Sequence, residues 1–190
     1  MLLSVSVGLL IPPMVGAGES FLRGPGMDRP QPTTLYLLCG RIAAGKSTLA
    51  RTLAARPSTV LIAMDDWMSV LFPTENRTID DFAMLSTRLR AAMGPHVVEL
   101  LRQDVSVVLD FPANTVRWRD WMRSMIAEAQ VAHELHLLNV PEAVCKERLA
   151  QRNSSGGHPY QVDEATFDEF TRYFVPPGPD EGFNVIVHEL

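Results

Sequence analysis

A glycine, lysine and hydroxyl cluster follows directly on an apolar run in "LLCGRIAAGKSTLA", residues 37–50. Gly40, Gly45, Lys46 and Ser47 satisfy the pattern G-x-x-x-x-G-K-[ST]. Between a strand and a helix, this pattern indicates a loop whose backbone N–H groups cradle the phosphates of a nucleotide. The predicted nucleotide-binding residues are Gly40, Arg41, Ile42, Ala43, Ala44, Gly45, Lys46, Ser47 and Thr48.

Lys46, Ser47 and Asp110 are the predicted partners of the phosphates and of a magnesium ion. Lys46 would bridge the β- and γ-phosphates of ATP, and the Ser47 hydroxyl would bind Mg²⁺. Asp110 ends the apolar run "VSVVLD", which is typical of a Walker B strand whose carboxylate holds Mg²⁺. The alternative for Asp110 is an ordinary strand-end aspartate in the turn before Phe111 and Pro112.

Two further carboxylates lie at the end of an earlier apolar run, "TVLIAMD": Asp65 is its last residue and Asp66 follows it. Ligands of open α/β sheets bind beyond the carboxyl ends of the strands, so we expect Asp65 near the phosphates. There it could accept the proton of a hydroxyl that attacks the γ-phosphate, with Asp66 capping the next helix. An exchange of these two roles, and a purely structural role for both, remain open.

Arginines provide the positive charge that phosphoryl transfer requires. Arg148 and Arg152 lie four residues apart in "CKERLAQRN", so on a helix they share one face, and "NSSGGHPY" follows as a flexible loop. The pair could act as catalytic residues in a lid that closes over the phosphates. The alternative is a solvated face paired with Glu142 or Glu147. Arg117 and Arg119 could bind an acidic acceptor, or be surface charges.

The elements that must position these residues alternate between short apolar and longer amphipathic segments. This alternation predicts a parallel sheet between two helical layers, an α/β fold. The predicted strands are "TLYLLCG", "TVLIAMD", "DVSVVLD", "HELHLLNV" and "FNVIVHE". The long segment "DDFAMLSTRLRAAMGPHVVELLRQ" predicts a helix capped near Asp80 and kinked or broken at Gly94–Pro95. The next helix should begin on an Asn or Thr cap at "NT".

The composition of the 190-residue chain limits the classes of function that it can have. A net charge of −5 and the lack of a basic tract argue against nucleic-acid partners. Residues 1–32, apolar and then rich in Gly and Pro, are predicted to be a disordered extension or an over-extended start before Met27, with a targeting segment as the alternative. The first apolar stretch is too short to span a bilayer, so no membrane partner is expected. Cys39 and Cys145 suit reduced thiols and, with the ATP requirement, a cytoplasmic protein.

The motifs together resemble a known family. The segments "LLCGRIAAGKSTLA", "AMDDWMSVLFP", "VVLDFPANT", "HLLNVP" and "CKERLAQRN" are similar to small P-loop kinase-like proteins often labelled AAA-type ATP-binding proteins, relatives of zeta toxins, chloramphenicol phosphotransferase and gluconate kinase. The resemblance implies a three-layer P-loop NTPase fold over residues 33–190, with a five-stranded parallel sheet of order 2-3-1-4-5 and an arginine lid. It also implies ATP with Mg²⁺ and matches Asp65, Arg148 and Arg152 to functional positions.

The resemblance leaves some features without a role. Pro176, Pro177 and Glu181 match a stretch that these proteins commonly carry before the last strand. Ala43 and Ala44 stand where many relatives have glycine, which is acceptable if neither residue needs a positive φ. The histidines show no metal-binding spacing, and only His158, in the predicted lid, is a candidate for function.

The leading functional hypothesis is a kinase that transfers the γ-phosphoryl group of ATP to a hydroxyl of a small molecule, such as a metabolite or an antibiotic. A second hypothesis is a nucleotide-binding NTPase or regulator without an acceptor. A third is a toxin-like kinase with a small neutralising partner. The sequence indicates neither the acceptor nor the oligomeric state.

Overall fold

A five-stranded parallel sheet forms the centre of the computed structural model, which describes residues 32–75, 78–155 and 162–189. The strands follow the spatial order 2-3-1-4-5, as predicted. The elements are β1 (Thr34–Cys39), α1 (Lys46–Ala54), β2 (Thr59–Ala63), α2 (Met64–Leu71), α3 (Ile79–Arg102), β3 (Ser106–Pro112), α4 (Val116–Ala129), β4 (Ala132–Asn139), α5 (Glu142–Ser155), α6 (Glu164–Arg172), a 3₁₀ turn (Pro179–Glu181) and β5 (Val185–Glu189). The prediction for residues 1–32 lies, apart from Pro32, outside the described residues and stays a prediction.

The central strand β1 is buried along its whole length. Its odd-numbered residues, such as Leu35 and Leu37, pack in one core with side chains of α3 and α4. Its even-numbered residues, Tyr36 and Leu38, pack with Ala50 and Leu53 of α1. This alternation of side chains across a strand places helices on both faces of the sheet, which confirms the predicted three-layer fold.

The helix α3 runs unbroken through Gly94 and Pro95, so the predicted break is wrong, while the kink offered as its alternative stays a prediction. The proline removes one helical hydrogen bond, but the buried side chains of Met93 and Val97 on either side hold this face against the sheet. A Cβ on Gly94 would meet Trp121 Nε1 at 3.2 Å, so glycine here permits the close approach of α4. The helix is capped by Thr78, two residues before Asp80, which agrees with the predicted cap near Asp80.

The boundary between β2 and α2 also differs from the prediction. The strand ends at Ala63 and the helix begins at Met64, so Asp65 and Asp66 both lie in the first helical turn. The N-cap is Ala63, with no side-chain hydrogen bond, so capping by either aspartate is wrong. Burial of Met64 and Met68, one turn apart, fixes the helix start. The positive end of the helix dipole favours both carboxylates in this turn.

Other boundaries follow the sequence more closely. Thr115 caps α4 by accepting a hydrogen bond from the Trp118 N–H, which selects Thr from the two predicted caps. The helix α5 extends through Ser155, so the first three residues of the predicted loop "NSSGGHPY" are helical, and residues 156–161 lie outside the described part of the chain. Across the described ranges, no helix combines the length and the apolarity needed to cross a membrane.

Candidate functional site

A cleft of about 1430 Å³ lies at the carboxyl edge of the sheet. It is bordered by the loop between β1 and α1, the first turn of α2, the start of α3, the end of β3, and side chains from α5 and α6. The predicted site residues that border it are Arg41, Ile42, Ala43, Gly45, Lys46, Ser47, Thr48, Asp65, Asp110, Arg148 and Arg152. The structure therefore brings residues from four separate segments of the chain to one place.

Gly40 and Ala44 are the two predicted loop residues that do not border the cleft. A Cβ on Gly40, which has φ +153°, would meet the Leu138 carbonyl oxygen at 3.1 Å, so only glycine lets β4 approach this closely. The buried Ala44 packs with Leu138 and Cys145. Both residues pack the loop against β4, on the side away from the cleft.

Two further residues of the loop have positive φ values. Gly45 has φ +105° and Ala43 has φ +60°, so the condition under which alanine is acceptable at position 43 is not met. Successive residues with unusual φ values form concave nests of N–H groups that bind anions. Among the described residues no acceptor is found for the N–H groups of Ile42, Ala43, Gly45, Lys46 and Ser47. Free amides at a helix N-terminus suit a phosphate chain.

The ammonium group of Lys46 lies inside this loop. Its Nζ donates hydrogen bonds to the carbonyl oxygens of Gly40 and Arg41, each at 2.8 Å. Burial lowers the pKa of Lys46, and the charge of Asp110 is the largest influence that opposes this shift. The lysine is thus a positive charge at the floor of the phosphate loop, facing the carboxylate at the end of β3.

Asp110 lies opposite Ala63 in the register of β3 with β2. It is not the last strand residue as predicted, because β3 continues to Pro112. The pairing with β1 shifts here: Leu37 pairs with Leu109, but Leu38 pairs with Pro112. Asp110 therefore lies at an irregularity in the pairing of β3 with β1, next to the phosphate loop.

Ser47 and Asp110 both border the cleft and offer the hard oxygen ligands that Mg²⁺ prefers. The described residues contain no cluster of three or more His, Cys, Asp or Glu side chains that could hold a metal ion alone. That arrangement fits Mg²⁺, which is usually held by one or two protein oxygens together with substrate phosphates.

Asp65 and the two arginines of α5 border the same cleft. The charge of Asp65 acts on Arg152 and opposes the lowering of the Arg152 pKa by burial. Arg148 Nη1 donates a hydrogen bond of 3.4 Å to the Ala44 carbonyl oxygen, so this side chain reaches the phosphate loop. Neither arginine forms an ion pair with Glu142 or Glu147 among the described residues. Their placement favours a role in the cleft over a solvated face.

Asn114, which the sequence did not single out beyond a possible helix cap, holds the phosphate loop from the other side. Its Oδ1 accepts a hydrogen bond from the Gly40 N–H at 2.9 Å, and its Nδ2 donates one to the Gly40 carbonyl oxygen at 3.0 Å. Its own carbonyl oxygen accepts a hydrogen bond from the Val175 N–H at 2.8 Å. Asn114 therefore connects Gly40 with the segment that follows α6.

Arg119 is completely buried and does not face the cleft, so its proposed roles as an acceptor-binding residue or a surface charge are both wrong. Its guanidinium donates to both Glu181 carboxylate oxygens at 2.6 and 2.8 Å. It also donates to the carbonyl oxygens of Ala113 at 2.9 Å, Val175 at 2.7 Å and Pro176 at 3.5 Å. All five N–H donors are used, which gives Glu181 and the proline stretch a structural role. The exposed Arg117 lies outside the cleft.

Two other predictions concern residues away from this centre. Burial raises the pKa of the Cys39 thiol to about 11, in line with an unreactive core cysteine. His158 lies outside the described residues, so its role stays a prediction.

A family model described as "AAA domain" matches residues 35–177 of the chain. The chain belongs to this family. The match covers the phosphate loop, both carboxylate positions and the arginines of α5, which confirms the resemblance to small P-loop kinase-like proteins. A comparison with curated proteins finds no match.

Solved structures with this AAA domain's fold include several kinases. A candidate kinase from Chloroflexus aurantiacus has a TM-score of 0.67 at 19% identity, with 86% of this chain and 87% of that chain covered. A sugar kinase from Janibacter has a TM-score of 0.59 at 17% identity, with 83% and 86% covered. Kti12 of Chaetomium thermophilum, in complex with ADP-AlF₃, has a TM-score of 0.61 at 16% identity, with 82% and 88% covered. These similarities establish a P-loop kinase-like fold.

Proposed function

We propose that this chain is a phosphotransferase of the cytoplasm that transfers the γ-phosphoryl group of ATP to a hydroxyl of a small molecule. One observation carries the proposal: a single cleft joins the phosphate loop with Asp65, Asp110 and two arginines. The cleft also extends well beyond the phosphate loop, to α3 and α6, so it offers room for an acceptor beside the nucleotide. The kinases and the ADP-AlF₃ complex among the similar structures support the same reading.

The phosphate loop would bind the nucleotide. The five N–H groups that have no acceptor among the described residues, together with the Lys46 ammonium, would stabilise the negative charge of the β- and γ-phosphates. Ser47 and Asp110 would hold Mg²⁺, which when bound lowers the negative charge of the phosphates. Gly45 has a φ of +105°, which is disfavoured for residues with a Cβ, so glycine permits this turn of the loop. The absence of a side chain would also let the backbone approach the phosphate chain closely.

Asp65 would act as the base. It would accept the proton of the acceptor hydroxyl as that oxygen bonds to the γ-phosphorus, while the bond from phosphorus to the bridging oxygen breaks and ADP leaves. Arg148 and Arg152 would stabilise the negative charge on the transferred group. Arg152 lies close enough to Asp65 for the two charges to interact.

The test is incubation of the purified protein with labelled ATP, Mg²⁺ and a pool of metabolites and antibiotics, followed by mass detection of a phosphate adduct. Lys46→Ala is the matched variant. We expect an adduct with the wild type and none with the variant. Release of phosphate at the same rate with and without the pool would contradict the proposal and favour an NTPase.

Thermal melts separate nucleotide binding from transfer. ATP with Mg²⁺ should stabilise the wild type and not Lys46→Ala. Without nucleotide the two proteins should differ by no more than about 1 kcal/mol, because the Gly40 oxygen keeps its bond from Asn114 and the Arg41 oxygen keeps its bond from the Ala44 N–H. Equal stabilisation of both proteins by ATP would exclude the assignment of the phosphate loop.

A further inference from the structure

The phosphate loop carries a second cation besides Lys46, the guanidinium of Arg41. Among the described residues this group has neither a hydrogen-bond acceptor nor an ion-pair partner. Arg119 and Arg123, by contrast, each form an ion pair with Glu181. Arg41 therefore brings to the cleft, which it borders, a positive charge that is not bonded to a counter-charge in the described part of the chain.

A ring contact holds the Arg41 side chain in place. Its Cζ atom lies 4.9 Å from the centre of the Phe174 ring, in a cation–π contact. Phe174 is partly buried and packs against the main core. The next residue, Val175, donates its N–H to the Asn114 carbonyl oxygen, and the Asn114 side chain bonds to Gly40, directly before Arg41. A side chain that is held in this way loses less conformational entropy when it binds an anion.

The hydrogen-bond donors of this guanidinium are available. Its Nε is buried without an acceptor, while Nη1 and Nη2, which also lack acceptors among the described residues, are not buried. A planar guanidinium presents paired N–H groups that match two oxygens of a phosphate. Arg41 can therefore bind a phosphate group without first breaking a side-chain hydrogen bond or an ion pair.

The place of Arg41 in the loop indicates which phosphate it would meet. The lysine of this motif reaches the β- and γ-phosphates. Since Lys46 Nζ donates to the Arg41 carbonyl oxygen at 2.8 Å, Arg41 lies at this end of the loop. Its side chain contacts Phe174, beyond α6, rather than the start of α1, where the inner phosphates would bind.

We infer that the Arg41 side chain, stacked on Phe174, binds the γ-phosphate of ATP and makes the site prefer a triphosphate to a diphosphate. This inference depends on the proposed function, since it assigns a further specificity-determining residue to the same site. An acidic group of the acceptor would offer the same oxyanion chemistry, and the experiment separates these two sources.

The experiment is calorimetric titration of the full chain, with Mg²⁺ present, with ADP and with the non-hydrolysable β,γ-imido analogue of ATP. Arg41→Gln removes the charge and the paired donors but keeps a polar side chain. We expect it to weaken binding of the triphosphate by about tenfold to a hundredfold, through loss of a charge-assisted contact, and binding of ADP by less than about threefold. The ratio of the two dissociation constants is measured because damage to the loop would weaken both nucleotides alike.

Three further variants locate the effect. Arg117→Gln makes the same change at an exposed position outside the cleft and should alter neither dissociation constant. Arg41→Lys keeps the charge but loses the planar pair of donors, so its ratio should lie between those of the wild type and Arg41→Gln. Phe174→Leu removes the ring that holds the guanidinium and should weaken binding of the triphosphate by about threefold. If Arg41→Gln does not fold, the ratios of Arg41→Lys and Phe174→Leu decide the matter.

An unchanged ratio would overturn the inference. Equal losses with both nucleotides would show that Arg41 only shapes the loop. No loss with either nucleotide would leave an acidic group of the acceptor as the partner of its guanidinium. The proposed function fails separately: if the wild type binds neither nucleotide, the phosphotransferase assignment is wrong, whereas binding of both nucleotides with an unchanged ratio refutes only the role of Arg41.

Discussion

The buried ion pair between Arg119 and Glu181 should be the most sensitive electrostatic contact of the fold. The Arg119 side chain is fully buried and that of Glu181 is only 16% exposed. Glu181→Gln keeps the shape but removes the negative charge and one of the two acceptors facing the guanidinium. A buried charge left without its partner costs about 3–5 kcal/mol. For a domain of this size that loss corresponds to a melting temperature about 6–20 °C lower.

The effect should depend on pH in a defined direction. The hydrogen bonds from Arg119 lower the pKa of Glu181, burial opposes this shift, and the Gly178 N–H adds to it. Because the pKa is lower in the folded state, the ion pair stabilises the fold fully above the ordinary value of 4.5. This contribution is lost as the pH falls through the folded-state pKa. The difference in free energy of unfolding between wild type and Glu181→Gln should therefore be largest at neutral pH and should become smaller as the pH falls below the folded-state pKa of Glu181.

Chemical denaturation at a series of pH values measures this gap directly. Glu128→Gln is the matched control, since it makes the same chemical change in the ion pair of Arg102 with Glu128, whose side chains are 47% and 60% exposed. The control should lose less than about 1 kcal/mol. Our reasoning would be refuted by a Glu181→Gln loss no larger than that of the control, or by a gap that stays constant from neutral to acidic pH.

Three further predictions address the cleft and the chain start. Once an acceptor is identified, Asp65→Asn should retain nucleotide affinity but transfer phosphate about 10²-fold or more slowly, while Asp66→Asn should retain activity. Steady-state kinetics measure both variants, and the reverse result would assign the base to Asp66. Ala43→Gly should leave the free energy of unfolding unchanged or raise it by up to about 1 kcal/mol, because it relieves a positive φ. The helical control Ala92→Gly should lose about 1 kcal/mol, and similar losses in both would show that Ala43 is unstrained. Deletion of residues 2–26 should leave a folded protein that ATP stabilises in melts, and an insoluble product would show that the extension belongs to the core.

Much of the fold was predictable because its signals are local. The apolar runs of β1 and β3 and the periodic helices between them each lie within a few consecutive residues. The phosphate loop was equally accessible, since its chemistry needs fixed spacing within eight residues. The start of α2 was missed because the apolar run of β2 continues through Met64, and composition alone does not show where an extended chain becomes helical.

The missed contacts share a physical reason: their partners are far apart in sequence. Asn114 and Gly40 are separated by 74 positions, and Arg119 and Glu181 by 62. Neither pair leaves a periodic pattern, and Arg119, followed by Asp120 and Trp121, resembles a residue of a surface helix. The positive φ of Ala43 was hidden for a different reason, since a loop held by tertiary contacts can impose a conformation that alanine alone avoids.

These long-range contacts join the phosphate loop to the segment after α6. In the turn after β3, the Asn114 carbonyl oxygen accepts a hydrogen bond from the Val175 N–H, and the Ala113 carbonyl oxygen accepts one from the Arg119 guanidinium. This turn therefore holds the segment that carries Phe174. The same Asn114 holds the Gly40 peptide through two side-chain hydrogen bonds. A shift of the segment after α6 must therefore move Asn114 or break its bonds, and either event changes the support of the phosphate loop. Loss of the Arg119–Glu181 pair should consequently weaken nucleotide binding, which thermal melts with ATP and Mg²⁺ would show as a smaller stabilisation of Glu181→Gln than of the wild type.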